Sequence, residues 1–246
     1  MKKIILFTDC LGAGGAQRQL VGLAIMLKDA GYEVTVATYY DIDFYKYRLD
    51  ENGVRNILIP QANNILKRIM AVRSFFKKER PDCVIAYQET PSLVACVCKI
   101  LGCKYKLIVS ERNTTQFVNT KDKIRFWLYR FANHIVPNSY AQGEFIANNY
   151  GNLKQRINVI HNFVDLTKFH PSYHNRRRAP LILVVASIIE SKNALNLIKT
   201  AAILRRNGFS FEIHWYGLLN SMTQNQACYI NKCKQLIQEL NVNDNA

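Results

Sequence analysis

The sequence predicts an α/β fold: a doubly wound, Rossmann-like parallel-sheet domain followed by the beginning of a second Rossmann-like domain. Two observations carry this expectation. Short runs rich in Ile and Val alternate with segments of helical period from residue 3 to residue 160, and strand–helix alternation of this kind builds parallel sheets. The pattern lapses over a polar, basic stretch, Ser172 to Pro180, and resumes at Leu181. The expected organisation is a first domain over 1–171, a linker over 172–180 and an incomplete second domain over 181–246.

Lys3 to Thr8 is an apolar run closed by Asp9 and a glycine-rich turn. Leu20, Leu23, Ala24 and Leu27 then recur at helical spacing until Gly31, and Glu33 to Tyr39 is β-branched, completing a βαβ unit. Strands are expected at Arg55–Ile59, Asp82–Ala86, Lys106–Ser110, His134–Pro137 and Ile157–Ile160. Helices are expected at Ile65–Lys78, Ser92–Leu101, Lys121–Ala132 and Ala141–Tyr150. In the second domain Leu181–Ala186 and Phe211–Tyr216 read as strands, and Ala194–Asn207 and Gln226–Leu240 as helices. The pattern stops at Asn243–Ala246, where a further strand is expected, so the sequence reads as C-terminally truncated.

Composition excludes several classes. Hydrophobic residues make up 49% and charged residues 21% of 246 residues, which is globular rather than disordered or collagen-like. No apolar run reaches the length of a membrane span, and the apolar stretch after Met1-Lys2-Lys3 ends at Thr8-Asp9, too short for a signal peptide. A cytoplasmic location is therefore expected. Seven cysteines without a C-x-x-C pair point to reduced thiols, and the five histidines show no metal-ligand spacing. Charge is the unusual feature: 33 Lys plus Arg against 18 Asp plus Glu give +15, favouring an anionic partner. No nucleic-acid module is present, so nucleic acid is not expected to be that partner.

The loop Gly12-Ala13-Gly14-Gly15-Ala16 lies between strand and helix, where backbone N–H groups can meet phosphate. It is neither common nucleotide fingerprint: the dinucleotide motif needs glycine at Gln17, and the Gly-Lys-Ser/Thr of a Walker loop is absent. Asp41, after the second strand, leaves a nicotinamide-dependent dehydrogenase as a minor alternative.

Gly14-Gly15-Ala16-Gln17-Arg18-Gln19-Leu20 resembles the glycine-rich loop of retaining GT-B glycosyltransferases of glycosyltransferase family four. Val109-Ser110-Glu111-Arg112-Asn113 resembles the segment after the fifth strand in bacterial polysaccharide members, and Val136-Pro137-Asn138-Ser139 their strand-to-helix turn. Val159-Ile160-His161-Asn162-Phe163-Val164-Asp165 resembles the crossing into the second domain, and Val184-Val185-Ala186-Ser187 with Lys192-Asn193 the start of the donor domain.

The resemblance implies a metal-independent enzyme that moves a hexose from a nucleoside diphosphate sugar, with retention, to a cell-surface polysaccharide or lipid-linked glycan. It assigns Gly14, Gly15, Ser187 and Lys192 to the donor phosphates and Arg18, Glu111 and Arg112 to the acceptor side. Asn138, Ser139, Asn162 and Asp165 fall at the cleft with structural roles. It names no catalytic residue and no cofactor. The family's E-x7-E helix falls beyond residue 246.

Other readings stand beside these. Lys192 also reads as a solvated lysine in an N-cap region, Asn138-Ser139 as a helix cap, and Glu111 and Arg112 as partners of each other or of the basic helix that follows. Lys121, Lys123, Arg125 and Arg130 interleave with Phe126, Trp127, Tyr129 and Phe131. That composition suits either an anionic membrane surface, placing the protein on the inner face of the cell membrane, or a buried aromatic face. The alternative function is a non-catalytic remnant that binds an acceptor, a membrane or a partner chain.

Overall fold

The computed structural model describes residues 1–60, 64–113, 117–171, 180–217 and 223–242. The chain divides into two compact units, Met1–Phe169 and His170–Ala246. The expected linker over 172–180 lies, apart from Pro180, outside the described residues.

In the first unit β1 (Lys3–Phe7), β2 (Glu33–Thr38), β3 (Arg55–Leu58), β4 (Cys83–Tyr87), β5 (Lys106–Glu111) and β6 (His134–Pro137) form one sheet in the order β3-β2-β1-β4-β5-β6. Every pairing is parallel. Between them run α1 (Gly15–Asp29), α2 (Lys46–Glu51), α3 (Ile65–Glu79), α4 (Glu89–Ile100), α5 (Thr120–Tyr129) and α6 (Tyr140–Asn149).

A parallel sheet is covered on both faces, so its strands carry apolar runs rather than alternation. Ile5 and Phe7 of β1 pack with α3, α4, α5 and α6 on one face, through Phe76, Val94, Phe126 and Ile146. Ile4 and Leu6 pack with α1 and α2 on the other, through Leu20, Val21, Ala24 and Leu49. The strand order reverses between β1 and β4, and the crevice at that point is where open α/β sheets bind ligands.

The ends of the elements follow from side-chain chemistry. Asn64, Asn119 and Ser139 cap α3, α5 and α6 by accepting the N–H of Leu66, Asp122 and Gln142. Glu79, at the end of α3, accepts from Lys3 Nζ at 2.5 Å and from both Arg55 amino groups at 2.9 and 3.1 Å. It thereby ties β1, β3 and α3 together, and these bonds, Arg55's above all, hold its carboxyl below the usual range.

The structure departs from the sequence expectations in several places. α4 begins at Glu89 rather than Ser92, because Pro91 is accommodated in the first turn, where no N–H is needed. α2 was not expected: it buries a single residue, Leu49, too little for a periodic signal. Residues 157–160 are not a strand. They make one parallel bridge, Ile135 to Ile157, with Asn158 and Ile160 donating to the carbonyls of Ile135 and Pro137, after a 3-10 helix over Gly151–Arg156.

In the second unit β7 (Leu181–Val185) and β8 (Glu212–Tyr216) pair in parallel, with α7 (Ala194–Arg206) and α8 (Gln224–Glu239). Both helices cover the face carrying Ile213 and Trp215, around Ala194, Ile198, Tyr229 and Cys233. The continuous apolar run predicts burial on both faces, but Leu183 and Val185 are 58% and 76% exposed. Two strands with helices on one side cover one face only.

All seven cysteines are free thiols, of which Cys96, Cys98, Cys103 and Cys233 are buried. Burial pushes the Cys96 and Cys98 thiols up to about 12.

Candidate functional site

The candidate site in the first unit is the C-terminal edge of its sheet, where β1, β4, β5 and β6 give way to loops. Gly14 and Gly15 lie at the start of α1. Gly14 is the N-cap, in extended conformation with no side-chain cap, and no acidic residue occupies the first turn. The first-turn N–H groups of such a helix have no partner within it and attract an anion. A Cβ on Gly14 would overlap the Gln17 Oε1, whereas nothing lies within 4 Å of a Cβ built on Gly15. A side chain at 14 would have to move the end of Gln17, and Gly15 leaves the helix start open. Arg18 is exposed on the same turn.

The β5 end separates two neighbours that the sequence pairs. Arg112 lies over the Tyr87 ring, 4.4 Å from its centroid, and donates to Tyr87 Oη at 2.9 Å and Asn162 Oδ1 at 2.8 Å. Glu111 is 1% exposed. Its carboxylate accepts the Tyr129 hydroxyl and lies 3.7 Å from Arg125 Nη1. Arg112, just past the end of β5, is half-buried at the edge, whereas Glu111, the last strand residue, lies in the interior.

Arg125, one of the cations of α5, does not face solvent. Its guanidinium is 3% exposed and also pairs with Glu89 at 2.6 Å and Asp122 at 2.8 Å. Burial opposes the Arg125 charge, but the carboxylates around it, Glu111 foremost, hold it protonated, while burial pushes the Glu111 carboxyl up. Phe126 and Tyr129 are buried with it, so half of the aromatic segment is core; Ile124 and Trp127 remain exposed beside Lys121, Lys123 and Arg130.

The 157–165 segment closes the edge next to β6. Ser139 caps α6, the carbonyl of Asn138 lies 3.1 Å from His161 Nδ1, and Asn162 anchors Arg112. The structural role of Asn162 is thus a side-chain contact. Asp165 accepts from the Thr167 hydroxyl and N–H, at 2.6 and 3.0 Å, which draws its carboxyl down. Between this segment and α1 lies an apolar groove of about 280 Å³, lined by Leu23, Ile85, Ile108 and Phe163 with Arg112 and His161 among its polar groups.

In the second unit Ser187 and Lys192 sit in the loop after β7. The Ser187 and Ile189 carbonyls accept the N–H of Ile189 and Lys192, at 3.1 and 3.0 Å, leaving both side chains exposed. Asn193 stands at the N-cap of α7 with φ 56° and no side-chain capping bond, so this loop is not the side-chain cap that its sequence also permits.

Sequence reasoning missed Asp9, Gln17 and Gln88. With the Gln88 amide oriented to satisfy its neighbours, its nitrogen donates to Asp9 Oδ1 and Oδ2 at 2.8 and 3.0 Å. Its oxygen accepts from Gln17 Nε2 at 3.0 Å. The three come from β1, α1 and β4 and meet at the switch point, which no local periodicity announces.

Residues 13–168, more than half of the chain, match the family described as Glycosyltransferase Family 4. The chain belongs to glycosyltransferase family 4. It is 26% identical, over 220 residues, to the GalNAc-alpha-(1->4)-GalNAc-alpha-(1->3)-diNAcBac-PP-undecaprenol alpha-1,4-N-acetyl-D-galactosaminyltransferase of Campylobacter jejuni, covering 84% of this chain and 58% of that one. It is 22% identical, over 221 residues, to the N-acetylgalactosamine-N,N'-diacetylbacillosaminyl-diphospho-undecaprenol 4-alpha-N-acetylgalactosaminyltransferase of the same organism, covering 83% and 60%. This family 4 chain thus spans about three fifths of the length of these relatives.

The GT-B fold is shown by solved structures. Anabaena HepE in complex with UDP-glucose superposes with a TM-score of 0.76 at 18% identity, covering 98% of this chain and 67% of that one. A glycosyltransferase from Rickettsia africae superposes with a TM-score of 0.75 at 18% identity, covering 98% and 66%. No described helix of the family 4 chain is long and apolar enough to cross a membrane.

Proposed function

We propose that the protein is a glycosyltransferase that moves a hexose, with retention and without a metal ion, from a nucleoside diphosphate sugar to a lipid-linked glycan. The observation that carries this reading is the family 4 match over residues 13–168, together with relatives named for undecaprenol-linked glycans. In this reading the first unit receives the acceptor and Ser187 and Lys192 of the second unit meet the donor diphosphate. Departure of a nucleoside diphosphate builds negative charge. Without a metal, cations and helix N-termini must offset it, as Lys192 and the start of α7 in the second unit are suited to do. The exposed Ile124 and Trp127 of α5, flanked by Lys121, Lys123 and Arg130, suit an anionic bilayer surface bearing the acceptor, on the inner face of the cell membrane.

The test incubates the purified chain with a panel of nucleoside diphosphate sugars, with and without chelator, and undecaprenyl-diphosphate-linked glycans in anionic vesicles. A product extended by one sugar, with the donor's anomeric configuration and undiminished by chelator, is the expected result. Binding to the vesicles with no affinity for any nucleoside diphosphate overturns the reading in favour of a non-catalytic remnant.

A further inference from the structure

Gln88 follows β4 in a conformation that a side chain rarely adopts. Its φ is 71° and ψ 173°, a region populated almost entirely by glycine, so its backbone is strained. The strain is held from every side. Its N–H donates to the Ser110 carbonyl at 3.2 Å, continuing the β4–β5 ladder, and its carbonyl accepts the Ser92 N–H at 3.2 Å, opening α4. It stands at the N-cap of α4 but spends no side-chain bond on that helix. The amide instead crosses to β1 and grips both oxygens of Asp9 while receiving Gln17.

The object of this arrangement is Asp9. Its Oδ1 also accepts the Cys10 N–H at 2.7 Å and the Thr8 hydroxyl at 3.2 Å. Gln88 is the one partner described for Oδ2. A carboxylate oxygen accepts about two hydrogen bonds, so Oδ2, on a half-buried residue at the switch point, keeps capacity for another donor. A fixed carboxylate repels a diphosphate and suits the hydroxyl of a neutral sugar.

We propose that Asp9 is the carboxylate that receives a hydroxyl of the acceptor sugar, and that Gln88 is the residue that positions it. This deepens the reading of the first unit as the acceptor side and rests on it for the sugar's role as acceptor, but not for its binding. Strain at Gln88 is retained because glycine, which would relieve it, could not reach Asp9.

The test measures binding of N-acetylgalactosamine to the 246-residue chain by saturation-transfer NMR, alongside the melting temperature. Asp9→Asn keeps the shape and removes the charge, and is expected to weaken binding about tenfold. Gln88→Gly is expected to weaken binding to a similar degree while leaving the melting temperature unchanged or higher, since relief of strain offsets the lost bonds. A purely structural role for Gln88 would lower both together, and that result overturns the proposal. Equal binding by wild type and both variants, or no binding by wild type, also overturns it. Asp9-dependent sugar binding with no affinity for any nucleoside diphosphate sinks the transferase reading and leaves this one standing; sugar transfer that is indifferent to Asp9 does the reverse.

Discussion

The ring of Phe163 rests on the backbone of Gly22: a Cβ at position 22 would overlap the ring's Cζ. The contact is locked by a reciprocal pair of bonds one turn earlier on α1. Gln19 accepts the Phe163 N–H at 3.0 Å and donates to its carbonyl at 2.9 Å. A segment 144 residues away is thus fastened to α1 by a side chain that mimics a strand partner. Asn162, next to Phe163, anchors Arg112, so this fastening sets one wall of the site.

Gly22→Ala should therefore displace Phe163 rather than merely stiffen α1. Alanine is the better helix former by about 1 kcal/mol, so an exposed glycine would gain stability from the change. Here we expect a loss of about 1–3 kcal/mol from overpacking, read by urea denaturation. A gain in stability would show that the 157–165 segment is not held on α1.

Arg125 is the common partner of Glu89, Glu111 and Asp122. Arg125→Met would leave the buried Glu111 without its cation, and we expect a loss of about 3–5 kcal/mol. Adding Glu111→Gln should return part of that loss, because the residual penalty is an uncompensated charge. The double-mutant cycle in denaturant checks both values.

Stability should fall on acidification through Glu79. Its carboxyl is held below the usual range by Arg55 and Lys3. The folded state therefore binds that proton less readily than the unfolded chain. The contribution is fully present above the unfolded value and is lost as pH falls through the folded one. Glu79→Gln should lower stability at neutral pH by about 1–3 kcal/mol and flatten this part of the acid limb. Thermal melts across the acid range compare the two proteins.

Lys192 tests the donor side. If its exposed ammonium meets the donor diphosphate, Lys192→Ala should weaken nucleoside diphosphate binding about tenfold or more, with little change in melting temperature. Titration calorimetry measures the affinity, and an unchanged value would return Lys192 to a solvated loop lysine.

The lipid surface reading makes a separate demand on α5. Trp127→Ala should reduce binding to anionic vesicles several-fold, and added salt should weaken it further by screening Lys121, Lys123 and Arg130. Sedimentation with vesicles of anionic and of neutral lipid distinguishes the two contributions.

Much of the architecture was legible because parallel strands buried on both faces must be apolar throughout. Ile4–Phe7 and Val84–Ala86 carry that signature, β2 carries it apart from Thr35, and the helices between them carry theirs. The glycine loop, the Ser139 cap and the order of the family segments were legible for the same reason, since each is a local pattern. Residues 157–160 were misjudged because β-branched residues favour a strand only where a full partner ladder exists. α2 was overlooked because one buried leucine makes no period.

Local patterns specify a parallel α/β fold, the order of its main strands and helices, and a chain rich in positive charge. Tertiary structure alone decided that β4 lies beside β1, bringing Asp9, Gln17 and Gln88 together, that Arg125 turns inward, and that Glu111 is buried while Arg112 is not. The reason is physical. Local periodicity specifies which face of an element is apolar, but side chains from strands some 80 residues apart meet only after the sheet has chosen its order. That choice is made by long-range packing, which no single segment encodes.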